Sequence, residues 1–471
     1  PFARVLRPCR PDDGIRRIAE GEIPELVERA EDAAARGRIA KFVPASGAAS
    51  RMFQTLSADL ADSAPPADPP PDVARFLAEI DGFPFVEDLR AALAARGLDL
   101  DRLRAEGRRR EILAALLEKP GLDYADLPKG LIPFHRGAEG GRGRTPFEEH
   151  LREAADLVRD DKGLCRLHFT VAANFLERFR ALLAEIGPRL EAELDCRFEV
   201  GFSVQHPQTD TLAIDAEGRP FRSADGSLLL RPGGHGALLG NLAGLGEQGF
   251  DLVLIKNVDN VLPGGGPAEV KRWKKVLAGL LVDLEERAAN LRRALERTEP
   301  QADLLAAARR FLRAELSLDL PSNAGREQLV AALDRPIRVC GVVKNQGEPG
   351  GGPFWIDSAD GPPSLQLVEA SQLDPASRDD LLAQATHFNP VDLACALRLG
   401  GRRHDLPRFV DPGAAFVAPK SSAGSDLLAL EHPGLWNGAM AGWNTVFVEV
   451  PDATFAPVKT VLDLLRPEHQ G

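Results

Sequence analysis

The segment DLVLIKNVDN (251–260) runs Leu, Val and Ile almost without interruption to a polar end, and the amphipathic stretch VKRWKKVLAGLLVDLEERAANLRRAL (270–295) follows it. A strand that is apolar on both sides has to be covered on both sides, which is the position of a central strand in a sheet with helices above and below. The chain repeats the alternation. RLHFTVA (166–172) precedes a helical pattern to about residue 186, and RFEVGFSVQ (197–205) follows it. RPIRVCGVVK (335–344), SLQLVEA (364–370) and NTVFVEVP (444–451) read as later strands. Strands alternating with helices predict an α/β fold with a mostly parallel or mixed central sheet flanked by helices. Two stretches interrupt it. The Pro-rich SAPPADPPPD (63–72) leads into helical sequence up to about 118, and 299–334 is helical and charged. The expected organisation is a helical lead over 1–40, an α/β core over 41–298 with a helical insertion at 57–128, a second helical insertion over 299–334, and the remaining half of the core over 335–471. No internal repeat is visible.

Composition removes several classes of function. With 44% apolar and 27% charged residues the chain is an ordinary globular one. Its formal charge of −12 leaves no global field to attract nucleic acid or anionic lipid, so neither is expected as a partner and any anion site has to be built locally. No apolar run is long enough to cross a bilayer, and the start carries no leader pattern. Cys9, Cys165, Cys196, Cys340 and Cys395 are scattered and contain no C-x-x-C pair, which fits a reducing compartment. A soluble cytoplasmic protein is the expectation.

A local anion site has a candidate in KFVPASGAASRMFQTL (41–56). Lys41–Ala45 reads as a short strand whose Pro44 cannot donate to a ladder and so sits at its end or edge. Ser46, Gly47, Ala48, Ala49 and Ser50 form a tight turn of tiny residues, and a helix is expected from Arg51. Such a turn lets backbone N–H groups approach an anion at a helix N-terminus, and Arg51 adds a guanidinium that can fork onto phosphate. Small residues also let a strand and helix pack closely, and the segment alone fits both readings. A dinucleotide fits less well, because G-x-G-x-x-G is absent. DLPKGLIPF (126–134) places Lys129 in a turn from which an ammonium reaches phosphate or simply solvent. RPGGHGALLGNL (231–242) sets Gly233, Gly234 and Gly236 around His235, either as a backbone surface for a planar group or as a plain glycine-rich loop. Asp259 closes the 251–260 strand at the sheet edge where α/β proteins bind ligands, and there it either holds a hard cation such as Mg²⁺ or caps a turn.

Taken in order, G-x-x-[ST]-R after the first strand, P-K-G, the glycine-rich loop and V-D-N at a strand end resemble the UDP-sugar pyrophosphorylases, in particular the branch acting on UDP-N-acetylhexosamines and UDP-glucose. The resemblance continues in LQLVEASQL (365–373), THFNPVD (386–392) and TFAPVK (454–459). It implies a glycosyltransferase-A-like, nucleotide-diphospho-sugar transferase fold, nucleotide binding in 41–298 and sugar binding in 335–471. By the same resemblance, Glu369 and Asn389 contact the sugar, Lys459 reaches the phosphates, and Arg51 and Lys129 hold the β- and γ-phosphates. The Ser46–Ser50 turn and the Gly233–Gly236 loop, with His235, take the nucleotide, and Asp259 binds Mg²⁺. The partners implied are a nucleoside triphosphate, UTP by family likeness, and a sugar-1-phosphate. A nucleotide-sugar-dependent glycosyltransferase and a non-catalytic nucleotide sensor use the same elements. The family has glycine where Ser46 and Ala49 stand, and GEPGGGPFW (347–355) and WNGAMAGWN (436–444) have no counterpart in it. The whole chain also resembles a bacterial domain family without an assigned activity that shares KFVPASGAASRMF, KGLIPF, RTPFEEHL, RPGGHGALL, IKNVDNV and HFNPVDL.

Overall fold

The computed structural model describes residues 2–470 apart from 48, 65, 67, 138–141, 224, 298–300, 348–350, 358–360 and 423–424. Its centre is a sheet built from β1 (Gly14–Arg16), β2 (Ile39–Pro44), β3 (Leu164–Val171), β4 (Arg197–Val204), β5 (Leu252–Lys256), β6 (Ile337–Lys344), β7 (Asp392–Ala396) and β8 (Asn444–Glu449). Starting beside the short Arg10–Pro11 strand, their spatial order is β1, β8, β6, β7, β5, β2, β3, β4. Neighbours are parallel except at β7, which runs against both β6 and β5. The sheet is therefore mixed. The carboxyl ends of the parallel strands share one edge, and β7 begins on that edge.

The apolar alternation explains why the sheet is covered on both faces. Leu252 and Leu254 of β5, Ile39 and Val43 of β2 and Val446 and Val448 of β8 enter one core. Val253, Ile255, Phe42 and Phe447 enter the other. The larger core is closed by α1 (Ile23–Ala35), α2 (Pro146–Leu157), α3 (Leu176–Leu194) and α4 (Ala268–Arg297). The long helix α4 buries Val276, Leu277, Leu280, Leu281, Leu284 and Ala288, the three- and four-residue spacing of one helical face. It lies so close to α1 that a Cβ at Gly279 would stand 1.8 Å from the Leu26 carbonyl oxygen. Any side chain there would push the two helices apart.

Residues 1–40 are more than a helical lead. Val5–Pro8 pairs antiparallel with Gly352–Ile356, and β1 pairs parallel with β8, so only Ile23–Ala35 of this stretch is an α-helix. These strands are three or four residues long and broken by Pro8, Pro11 and Gly14, too short for a period-two pattern to show. The 63–118 region forms the helices Pro71–Ala78, Val86–Ala94, Leu100–Ala105 and Arg109–Leu117, and 299–334 forms Ala302–Leu316 and Arg326–Leu333. A separate four-stranded sheet of Thr211–Ile214, Leu230–Arg231, Phe416–Ser422 and Ser425–Glu431 has no clear sequence signal. Among the described residues, no helix is long and apolar enough to cross a membrane. The five cysteines are buried and unpaired.

Several histidines are buried in this fold. Burial draws the imidazoles of His168 and His404 down to about 4, and burial together with neighbouring His135 does the same to His469. Between that value and the ordinary one near 6.5, the unfolded chain binds more protons than the folded one, so stability falls as pH drops through this window. The slope is up to about 1.4 kcal/mol per pH unit for each histidine. Thermal unfolding measured from pH 7 to pH 4.5 should show a steep loss of melting temperature below pH 6.5, and His168→Gln should make that loss shallower.

Candidate functional site

The turn after β2 is held from two sides. Ala45 N–H donates to Thr170 O at 2.8 Å, and Ala49 N–H donates to Leu127 O at 2.9 Å. Ala49–Arg51 is a 3₁₀ turn, and the α-helix begins at Gln54, three residues beyond Arg51 where it was expected. The Ala49 bond ties the turn to the Lys129 segment. Ser46, Gly47, Ser50 and Arg51 are exposed and Ala49 is buried, while Ala48 lies outside the described residues.

Lys129 opens a 3₁₀ turn whose Gly130 packs without a Cβ against Phe179 and Val258. Its ammonium donates to Asp259 Oδ2 at 2.6 Å and to Val458 O at 2.7 Å. Val458 N–H in turn donates to the Asp259 carbonyl at 3.0 Å. Asp259 thus lies three residues past the end of β5 at Lys256, held by the segment after β8. Its neighbour Asn260 accepts Ala456 N–H at 3.0 Å and donates to Pro390 O at 3.4 Å, which stitches the loops after β5 and before β7 to that same segment. Lys459 sits with its ammonium 5.5 Å from the Phe388 ring centroid and 5.7 Å from that of Phe455. Its N–H is anchored by Asp463 Oδ2 at 2.8 Å. Val461 N–H reaches Met52 O at 3.0 Å, so one strap, 454–461, touches the loops that carry Arg51, Lys129 and Asp259.

Phe388 faces a pocket of about 270 Å³ that is also lined by Glu369, Asn389, Val391, Trp436 and Asn437. Asn389 Oδ1 accepts Val391 N–H at 3.0 Å, leaving its amide hydrogens as the group it can offer a ligand. Val391 has φ 56°, a left-handed conformation that a β-branched residue adopts only under constraint, at a cost of about 1–3 kcal/mol. This strained residue stands in the pocket wall. Glu369 Oε1 stands 3.3 Å from His235 Nε2. Burial pushes the Glu369 carboxyl up, but hydrogen bonds to His235 and Asn437 outweigh it and hold the group below the ordinary carboxylate range.

His235 is brought there by its glycines. A Cβ at Gly233 would meet the His432 ring at 2.3 Å, one at Gly234 would meet Glu431 at 2.5 Å, and one at Gly236 would meet Pro433 O at 2.1 Å. The space next to each glycine is filled by the 431–433 segment, by side chains at Gly233 and Gly234 and by backbone at Gly236, so these residues are small because that segment packs directly on them. Trp436 lies in the same region, with its ring 4.2 Å from that of His235 and 16° from parallel. Trp443, by contrast, is core. Arg144 and Glu148 are structural: Arg144 bonds Glu149 at 2.8 Å, and Glu148 accepts Arg152 and Arg189.

Among the described residues, no three His, Cys, Asp or Glu side chains cluster as a metal cage. The lone carboxylate of Asp259 still suits Mg²⁺, which commonly takes one or two protein oxygens and completes its shell with water and phosphate.

The family profile described as a domain of unknown function, DUF4301, matches residues 1–470. The chain belongs to the DUF4301 family. No curated protein is a recognisable sequence relative. Among solved structures, this DUF4301 chain is similar to the uridine diphosphate N-acetylglucosamine pyrophosphorylase of Trypanosoma brucei, with a TM-score of 0.52 and 14% identity over 98% of this chain and 72% of that one. The UDP-glucose pyrophosphorylase of Leishmania major is also similar, with a TM-score of 0.45 and 15% identity over 99% and 70% of the two chains. The mixed sheet flanked by helices thus shares the fold of the Trypanosoma brucei uridine diphosphate N-acetylglucosamine pyrophosphorylase.

One polar cluster of the DUF4301 chain escaped the sequence reading. Glu153 of α2 takes the ammonium groups of Lys41, Lys256 and Lys274, Lys256 at 3.2 Å, with all four side chains at most 4% exposed. Lys41 also donates to His150 O at 3.2 Å. Asp392 faces the same water-sized cavity and is the register partner of Lys256. Lys256 immediately precedes the loop carrying Asp259, and Asp392 immediately follows strained Val391. The available signal was a lysine inside each of two otherwise apolar strands, KFVP and LVLIK.

Proposed function

We propose that this chain is a nucleotidyltransferase that joins a sugar-1-phosphate to a nucleoside triphosphate, UTP by fold likeness, with release of pyrophosphate. The observation that carries the reading is Phe388, which carries the Lys459 ammonium against its ring and also lines the Glu369–Asn389 pocket. A phosphate-binding group and a hydroxyl-binding pocket therefore adjoin at the carboxyl edge of the sheet, where α/β folds bind ligands.

In this reading a sugar-phosphate oxygen attacks the α-phosphorus and pyrophosphate leaves in line, a reaction that needs positioning and charge neutralisation more than a covalent intermediate. Arg51 and the Ser46–Ser50 turn would take the β- and γ-phosphates. Lys129 would exchange its bond to Asp259 for a phosphate oxygen, and Lys459 would face charge developing at the α-phosphate. Asp259 would hold Mg²⁺, which supplies neutralisation of the phosphate oxygens. Gly233–Gly236 would border the base, and Glu369 and Asn389 would orient the sugar. No side-chain nucleophile is used.

One observation favours a nucleotide sensor instead. Ala49 N–H, at a position where the pyrophosphorylases have glycine, is already committed to Leu127 O and is not offered to phosphate. A panel of nucleoside triphosphates and sugar-1-phosphates with Mg²⁺ separates the two readings. Release of pyrophosphate that requires both substrates is the expected result; a thermal shift with nucleotide but no release from any pair would mean a sensor.

A further inference from the structure

The sugar pocket contains a device that follows neither from the resemblance nor from the fold. Gln372 Oε1 accepts Glu369 N–H at 2.9 Å and therefore accepts the Asn437 amide as well, also at 2.9 Å, which fixes Asn437 with its nitrogen toward Gln372. Asn437 Oδ1 is then a buried acceptor without a hydrogen-bond partner, on a residue that is 3% exposed and lines the pocket. His235 Nδ1 accepts Leu435 N–H at 2.9 Å, so Nε2 carries the ring proton and points it at Glu369. The ring is clamped on Trp436, and Gly434 has no side chain because a Cβ would stand 2.6 Å from His235 Cε1. The pocket thus presents the Glu369 carboxylate as an acceptor and the Asn389 amide as a donor, with Asn437 Oδ1 buried in its wall. No lysine or arginine is among the residues that line it.

We propose that this pocket selects neutral, hydroxyl-rich sugars and rejects sugar acids, and that His235 is the positioning residue that sets the selectivity by aiming the Glu369 carboxylate. Hydroxyl groups donate to the Glu369 carboxylate. A ligand carboxylate would lie against Glu369 with no cation to offset it, and like charges brought together at a binding surface are strongly disfavoured. The inference rests on the sugar pocket of the preceding reading but not on turnover.

The test is calorimetric titration of the full chain with a nucleoside diphosphate-hexose and the matching nucleoside diphosphate-hexuronic acid, UDP-glucose and UDP-glucuronic acid being the probes. The expected preference for the neutral ligand is about 100-fold, falling to within about threefold in Glu369→Gln. His235→Phe keeps a ring on Trp436 and removes the N–H, and it should lower the preference about tenfold, while His235→Gln, which retains a donor, recovers part of it. Equal binding of the two ligands by the parent chain, binding of neither, or an unchanged preference in Glu369→Gln would overturn the proposal. Discrimination without pyrophosphate release would sink the transferase reading alone, and release without discrimination would sink this one alone.

Discussion

On the proposed transferase reading, Asp259→Ala should lower pyrophosphate release by about 1,000-fold while leaving the chain folded. The size follows from removing the carboxylate that would hold the Mg²⁺ neutralising the phosphates in a partly enclosed site, where single electrostatic contacts commonly contribute about two to three orders of magnitude. The fold survives because Lys129 keeps its bond to Val458 O, and the backbone bond from Val458 N–H to Asp259 O does not involve the deleted carboxylate. Steady-state pyrophosphate release at saturating Mg²⁺, beside a thermal unfolding curve, checks both halves. A loss of less than about tenfold would take Asp259 out of the chemistry. Its carboxylate would then serve only to orient Lys129.

Glu153→Gln has the largest expected effect on stability, a loss of about 3–5 kcal/mol, because it removes the buried carboxylate that Lys41, Lys256 and Lys274 share, where burial already disfavours the charged form of each lysine. Asp392 alone cannot balance them. Chemical denaturation should show a lower midpoint, and Lys41→Met combined with Glu153→Gln should recover part of the loss, since it removes one of the uncompensated charges. A double variant as unstable as the sum of the two singles would show that the groups do not act as one unit. Because Lys256 and Asp392 adjoin the loops carrying Asp259 and Asn389, the single variant should also weaken substrate binding at temperatures where it is still folded.

What could be read in the sequence follows the length of the patterns. The apolar run of β5 and the 30-residue helix α4 are long enough for their periodicity to decide the fold class. The strands at Val5–Pro8 and Gly14–Arg16 gain their identity from partners more than 300 residues away, at Gly352–Ile356 and Asn444–Glu449, and no local window contains that information. The same division holds in the site. Lys129 and Asp259 could be singled out by residue type and neighbourhood, but their 2.6 Å contact is made by the fold, and so is the seat of Lys459 over Phe388. The glycines around His235 were visible as glycines. That each one touches residues 431–433, rather than open space, needed three dimensions. The Glu153 cluster was hidden for a related reason: its lysines lie on separate strands and a separate helix, each of them unremarkable where it stands.

The strap over 454–461 and its preceding strand β8 have a consequence for how the protein is made. β8 fills the gap between β1, from the start of the chain, and β6, in its last third, pairing with β6 from Ile337↔Asn444 to Val342↔Glu449. Until these late residues leave the ribosome, β6 presents an unpaired edge and Lys129 and Asp259 lack the backbone that fixes them. Contacts of such long sequence separation form late and leave strand edges open to wrong partners in the meantime. A nascent chain of this kind should depend on chaperones until synthesis has passed residue 461, and it gains its site in one late step.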